Sequence, residues 1–104
     1  MPNIKRAMFI LAVPDLAKSA AWYRDVLGCE IHEIGDPGWR FYKLGDWRIM
    51  AGECRDAIPP VELGDHSYYG YIVLDSVPAL DTYHKKVKAA GAQLIKPLRD
   101  EPWK

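Results

Sequence analysis

The chain has 104 residues, of which 49% are hydrophobic, and this size suits one compact domain with a modest core. Its 14 Lys and Arg residues balance its 14 Asp and Glu residues, so no basic field exists for nucleic acid or an anionic membrane. The longest apolar run is far too short to span a bilayer. Two cysteines, Cys29 and Cys54, are too few for a disulfide framework, so we predict reduced thiols and a cytoplasmic protein.

The first half of the chain predicts the element order β-α-β-β-β. An apolar run that ends at Pro14 predicts a buried strand, and Asp15 is placed to cap the helix that follows. That helix carries one apolar face, and Gly28 supplies the left-handed residue that ends it. Gly45-Asp46 is a hairpin signal. The predicted elements are a strand at 6–13, a helix at 16–27, and strands at 29–34, 39–44 and 47–54.

The second half begins the same order again after a linker that contains Pro59-Pro60. A strand is predicted at 67–74 and an amphipathic helix at 77–90, with His84 among lysines on its solvated face. Gly91 ends this helix, and a further strand begins at 92–97. The repeated order indicates two copies of one structural unit.

Residues 13–28, VPDLAKSAAWYRDVLG, carry the most specific pattern. They resemble the V-x-D-L-x-x-S-x-x-[FW]-Y-x-x-x-L-G signature of the vicinal oxygen chelate superfamily, which includes glyoxalase I, bleomycin-resistance proteins and extradiol dioxygenases. Weaker matches follow in the same order at residues 47–50, 65–68 and 102–103. The resemblance therefore covers nearly the whole chain, and its specificity lies in the first helix.

The resemblance implies an α+β fold in which paired βαβββ modules each curl into half of a barrel-like cleft. It places one domain over residues 1–104, with a first module at about 4–56, a linker at about 55–66 and a second module at about 67–104. The second module holds only βαβ and is expected to lack the last two strands of the pattern. Either the chain is a truncated product or a partner chain covers the exposed sheet edge, and we predict a homodimer.

Enzymes of the superfamily bind a divalent metal ion through His and Glu on the first, fourth, fifth and last strands. By resemblance those positions fall on Met8, on Met50 and on Tyr69, or Tyr71 if the register shifts, while the last lies beyond the chain. Thioethers do not suit hard divalent ions, so no metal cofactor is expected. The alternative is a divalent metal ion with non-standard ligands, for which His66 and Glu53 are the candidates. Glu53 lies an odd number of residues from Met50, so on a regular strand it is expected to face the opposite side.

Strand alternation combined with the resemblance predicts a cleft lined by aromatic, methionine and arginine side chains. The third wall is either Arg40 with Tyr42 or Trp39 with Phe41, and Trp103 is expected near the rim. Such a lining suits a flat organic ligand with an anionic or carbonyl group, unless the cleft is filled by its own side chains. The candidate ligand-binding residues are Met8, Ile10, Arg40, Tyr42, Arg48, Met50, Tyr69, Tyr71 and Trp103.

No nucleophilic constellation is evident, because Ser19 and Ser76 occupy helix positions typical of structural serines and Cys54 has no basic partner except Arg55. The favoured hypothesis is a non-catalytic domain of the bleomycin-resistance type that binds a small molecule. The alternatives are a metal-dependent lyase or dioxygenase with non-standard ligands, and a vestigial structural or dimerisation domain. Neither nucleic acid nor a membrane is expected as a partner.

Overall fold

The computed structural model describes residues 2–58, 62 and 71–93 of an α+β protein. The chain separates into two compact units, residues 1–72 and 73–104. The module boundaries expected from the sequence stay a prediction. The elements are β1 (Phe9–Val13), α1 (Leu16–Trp22), a π-helical turn (Tyr23–Leu27), β2 (Glu30–Glu33), β3 (Trp39–Leu44), β4 (Trp47–Glu53) and α2 (Val77–Ala89).

The first unit is built on an open four-stranded sheet with the strand order β1-β4-β3-β2. β1 pairs with β4 in parallel, whereas β4 with β3 and β3 with β2 are antiparallel. The hairpin between β3 and β4 turns at Gly45-Asp46, and Gly45 adopts a φ of 58° that favours glycine. The predicted order β-α-β-β-β is therefore confirmed for this unit.

The start of α1 is fixed by two carboxylates that accept backbone N–H groups. Asp15 Oδ1 accepts the N–H of Lys18 at 3.0 Å, and Glu53 Oε2 accepts the N–H of Leu16 at 3.2 Å. These groups have no partner inside the helix, and negative charge is favoured at a helix N-terminus. Because Glu53 is the last residue of β4, the second bond also ties the helix to the sheet.

The predicted single helix at 16–27 changes character at Tyr23, where it widens into a π-helical turn. The wider turn brings Val26 into a buried position, which a regular helical stripe does not predict. Gly28 then ends the turn in the left-handed conformation with a φ of 85°, as predicted.

The core lies between α1 and one face of the sheet. Tyr42 is its largest fully buried side chain, with 1% of its surface exposed. Leu11, Tyr23 and Ile31 pack against it from the partly buried rim. The buried cluster consists of Val13, Leu16, Cys29, Tyr42, Ile49 and Ala51.

The expectation of a buried strand at 6–13 was wrong in two respects. The strand begins at Phe9, and its first two side chains are exposed, Phe9 by 71% and Ile10 by 64%. The physical reason is position, because β1 lies at one edge of the sheet and pairs with β4 alone in the described ranges. The helix packs over the far end of β1, where Val13 is buried.

In the second unit, α2 begins where Ser76 Oγ accepts the N–H of Ala79 at 3.1 Å. Its apolar face buries Val87, and Gly91 follows the helix with a φ of 105°. His84 is half-buried and its Nε2 is inaccessible, so its predicted place on the solvated face was wrong. His84 lies three residues before Val87 and therefore on nearly the same side of α2, so the partly buried side of the helix includes it.

Two predicted strands fall largely outside the described residues. Of the strand expected at 67–74, residues 71–74 are described and are not in a strand. Of the strand expected to begin at 92–97, only 92–93 are described, and neither is in a strand. No helix within the described ranges is long and apolar enough to cross a membrane.

Candidate functional site

The sheet has one face under α1 and a second face, here called the open face, that α1 does not cover. Residues paired across neighbouring strands project to the same face, so the register assigns every side chain to one of the two. Met50 pairs with Ile10 on β1 and with Phe41 on β3. Its neighbours Ile49 and Ala51 are buried under α1, so Met50 and its partners project to the open face. The open face carries Ile10, Ala12, Glu30, His32, Trp39, Phe41, Lys43, Arg48, Met50 and Gly52.

Tyr42 projects to the face under α1, so its expected position on the open face was wrong, although Tyr42 also lines the cavity described below. Its hydroxyl donates to Ser19 Oγ on α1 at 2.8 Å, and its ring lies 4.6 Å from that of Tyr23. Burial raises the pKa of Tyr42, which keeps its hydroxyl protonated as a donor. The register instead places Trp39 and Phe41, the other alternative, on the open face, and Phe41 lines the cavity.

Arg40 lies two residues before Tyr42 on β3 and projects to the same face, the one under α1. Its expected position on the open face was therefore also wrong. Its Nη1 donates to the carbonyl oxygens of Trp39 at 2.7 Å and Pro37 at 3.2 Å. Its Nη2 lies 3.5 Å from Glu33 Oε1 on β2. These contacts hold the guanidinium against the backbone and β2, so it stabilises the start of β3.

Trp39 lies flat against β4 at the position of Gly52. A Cβ atom added to Gly52 would meet the indole carbon Cζ3 of Trp39 at 2.8 Å, closer than carbon atoms approach. The glycine therefore makes room for the ring, and the ring becomes part of the open face. Sequence reasoning did not pair these two residues, although a glycine inside a strand pattern signals such a close approach.

A cavity of about 400 Å³ opens on this face. Its lining residues lie on or next to all four strands. A second cavity of about 430 Å³ shares Met8 and Arg48 with the first and adds Tyr71 and Phe9. The residues that line the first cavity are Arg6, Met8, His32, Glu33, Ile34, Phe41, Tyr42, Lys43 and Arg48.

The remaining predicted site residues divide into three groups. Ile10, Arg48 and Met50 lie on the open face, and Met8 lines both cavities. Tyr71 lines the second cavity and is 80% exposed. Tyr69, Trp103 and the alternative metal ligand His66 lie outside the described residues.

The described residues do not fit a divalent metal ion. Met8 and Met50 occupy the positions that the resemblance assigns to ligands, and thioether sulfur is a poor donor to hard divalent ions. Across residues 2–58, 62 and 71–93, no three His, Cys, Asp or Glu side chains are grouped to hold a metal ion. Glu53 lies three residues after Met50 on β4 and therefore projects to the other face of the sheet, where its carboxylate caps α1.

The described nucleophile candidates have structural partners. Ser19 accepts the Tyr42 hydroxyl, and Ser76 caps α2. Cys54 is exposed, and the hydrogen bond from its Sγ to Asp56 Oδ1, 3.2 Å long, raises the pKa of the thiol. Burial raises the pKa of Cys29. Both thiols are therefore protonated at neutral pH, which disfavours nucleophilic chemistry.

A family model described as the Glyoxalase/Bleomycin resistance protein/Dioxygenase superfamily matches residues 4–104. The chain therefore belongs to this superfamily. The resemblance of residues 13–28 and the open sheet of the first unit agree with that membership. A comparison with curated protein sequences gave no significant match.

Solved structures with the same fold include proteins associated with drug resistance. The bleomycin resistance determinant encoded on transposon Tn5 has a TM-score of 0.63 and 23% identity, over 90% of this chain and 71% of that chain. TioX from Micromonospora sp. ML1 has a TM-score of 0.66 and 24% identity, over 95% and 80%. The fosfomycin resistance protein FosX from Listeria monocytogenes has a TM-score of 0.62 and 22% identity, over 95% and 74%. At these identities the likeness establishes the fold.

Proposed function

We propose that this protein is a non-catalytic domain that binds a flat organic molecule against its open face. The observation that carries the proposal is the cavity of about 400 Å³, in which aromatic, methionine and cationic side chains converge. Its volume falls within the range of small-molecule sites, about 300–1,000 Å³. A bleomycin-binding protein complexed with bleomycin has the same fold, with a TM-score of 0.62, and this supports the class of function.

The side chains of the open face suit a flat ligand because they combine rigid and adaptable apolar surfaces. Phe41 and Trp39 offer aromatic rings on which a planar molecule stacks. Met8 and Met50 have flexible, polarisable side chains that adjust to an irregular outline. We expect Phe41 to contribute most, because it pairs with Met50 and lines the cavity.

The first experiment is a titration of the EDTA-treated protein with a library of planar aromatic compounds, followed by tryptophan fluorescence and calorimetry. We expect one molecule bound per chain without added metal. Phe41→Ala should weaken that binding by about tenfold, the effect of losing roughly 1.4 kcal/mol of stacking. Trp22→Ala is the matched control, because Trp22 is an aromatic residue exposed on α1 rather than on the open face.

Two outcomes would contradict this proposal. The absence of binding across the library would favour the vestigial structural domain, whose cleft is filled or closed. About one tightly held metal ion per chain, together with turnover of a hemithioacetal or a catechol, would favour the lyase or dioxygenase. In that case the ligands would be sought among His66, Tyr69 and their neighbours.

We also propose that the protein forms a homodimer in the cytoplasm. The apolar residues Phe9 and Ile10 are exposed on β1, an edge strand, and such edges favour association with another chain. Both cysteines are free thiols, which is typical of proteins in a reducing compartment.

A further inference from the structure

Two cations face each other across the hairpin. Lys43 on β3 and Arg48 on β4 are directly paired, and both side chains project from the open face. Like charges at directly opposed positions of an antiparallel pair repel, since their Cβ atoms lie only about 5 Å apart. This arrangement disfavours the empty sheet and favours a negative group placed between the two side chains.

The carboxylates nearby only partly offset this charge. Lys43 Nζ lies 3.9 Å from Glu30 Oε2, a weak and half-exposed contact, and Glu30 also lies 3.8 Å from His32 Nε2. Glu33 lines the cavity, but its carboxylate lies 3.5 Å from Arg40. The carboxylates of β2 are therefore shared with other basic groups.

The charge of Arg48 is less offset by nearby carboxylates than that of Lys43. Among the described residues no carboxylate lies within ion-pair distance of its guanidinium, although Asp46 lines the neighbouring cavity with it. Arg48 is half-buried, and Arg6 lines the same cavity as Lys43 and Arg48. Three cations thus line one cavity of a chain whose formal net charge is +0.

We infer that the ligand of the open face is a planar acid, whose carboxylate or similar oxyanion is bound between Lys43 and Arg48. The inference rests on the proposed function and specifies the chemical class of its ligand. Phe41 lies two residues before Lys43 on the same face, about 7 Å along the strand. That spacing places an aromatic ring on Phe41 while its acid group reaches the two cations. A planar guanidinium also matches a carboxylate in a two-point contact.

The test compares 2-naphthoate with 2-naphthamide, a neutral probe of nearly the same shape, by calorimetry on the full chain. Hydrogen bonds to charged groups contribute about 1.5–3 kcal/mol, so we expect 2-naphthoate to bind at least about tenfold more tightly. Raising the salt from about 50 to about 500 mM should weaken naphthoate and leave naphthamide unchanged.

Arg48→Gln should weaken 2-naphthoate much more than 2-naphthamide, and so remove most of the preference for the acid. Lys43→Gln should reduce the preference less, because Glu30 already offsets part of the Lys43 charge. Arg24→Gln is the control, since Arg24 is an exposed cation on the π-helical turn that pairs with Asp25. Circular dichroism and thermal unfolding establish that each variant is folded.

The outcomes separate this inference from the proposed function. Equal binding of the two probes, or an unchanged preference in folded Arg48→Gln and Lys43→Gln, would overturn the acid site and leave the binding domain standing. Failure of both probes to bind would overturn the acid site, and the absence of binding across the whole aromatic library would overturn the proposed function as well.

Discussion

Tyr42 joins the sheet to the first helix through one hydroxyl. It donates to Ser19 Oγ at 2.8 Å from a side chain that is otherwise enclosed by the core, and its ring packs on Tyr23. An internal hydrogen bond of this kind contributes about 1 kcal/mol net. The bond also determines which face of β3 is turned toward α1.

Tyr42→Phe and Ser19→Ala should each lower the free energy of unfolding by about 1 kcal/mol, measured by urea denaturation. Because both changes remove the same bond, the double variant should lose little more than either single variant. Tyr71→Phe is the matched control, since Tyr71 is 80% exposed. Full additivity of the two losses would show that the hydroxyl and Ser19 act independently.

The contact between Trp39 and Gly52 tests the shape of the open face. In Gly52→Ala the new methyl group would overlap the indole ring, so the ring must move, at a cost of about 1–3 kcal/mol. Thermal unfolding measures the loss, and a red shift of tryptophan emission reports the movement of the ring toward water. Gly38→Ala is the control, because its Cβ would meet only Asp36 Oδ1 at an ordinary 3.5 Å. Equal stability of the two variants would contradict the close approach.

Burial of Cys29 makes stability sensitive to alkali. Burial raises its pKa above the ordinary value of 9.0, so the unfolded chain loses the thiol proton first. The stabilisation is complete below about pH 9 and is lost as the pH rises through the folded-state pKa. Urea denaturation in a Cys54→Ala background, which removes the second thiol, should show the free energy of unfolding falling above about pH 9. Adding Cys29→Ala should flatten that fall until the tyrosines titrate, and an unchanged slope would disprove the assignment.

At the scale of elements, local signals predicted most of the first unit. Pro14 and Asp15 marked the end of β1 and the start of α1, Gly28 marked the end of the π-helical turn, and Gly45-Asp46 marked the hairpin. Each of these residues acts through its own backbone geometry or cap, so the prediction needed no knowledge of distant contacts.

Which side of β3 faces α1 could not be predicted, because both sets of alternating residues in this strand contain apolar side chains. Trp39 and Phe41 alternate with Tyr42 and Leu44, so hydrophobicity does not distinguish the buried side. The pairing with Ile49 and the bond to Ser19 decide it, and both are tertiary contacts. For the candidate site, alternation predicted that Ile10, Arg48 and Met50 share one face of the sheet, and the register agrees. The positions of Arg40 and Tyr42 depended on the side of β3 that faces α1, which the sequence left open.

The N-terminus of α1 is capped from both the chain before it and the sheet below it. Asp15→Ala should lower the free energy of unfolding by about 1 kcal/mol, because the N–H of Lys18 loses its acceptor. Asp15→Asn should restore most of the loss, since asparagine also caps well. Chemical denaturation measures both variants. An Asn variant as unstable as the Ala variant would assign the effect to charge at the helix end rather than to the hydrogen bond.

At the scale of the whole molecule, the exposed edge of β1 predicts self-association. Light scattering after gel filtration should give twice the chain mass, and Ile10→Lys should give a monomer, because a charge on the edge strand opposes pairing. Ile34→Lys is the control, since Ile34 is an exposed isoleucine at the end of β2, the opposite edge. A monomeric unmodified protein, or equal effects of both changes, would contradict an interface at β1.

The strict alternation of β3 and β4 divides their residues into two sets with separate tasks. Tyr42, Ile49 and Ala51 belong to the core cluster, while Phe41, Arg48 and their open-face neighbours project from the opposite side of the sheet. A lineage can therefore exchange open-face residues such as Phe41 and Arg48, and with them the molecule recognised, at little cost in folding, whereas Gly52 must stay small beneath Trp39. For protein engineering, this hairpin is suited to a mutant library. Randomising its open-face positions would vary the affinity for ligands while the core residues stay unchanged.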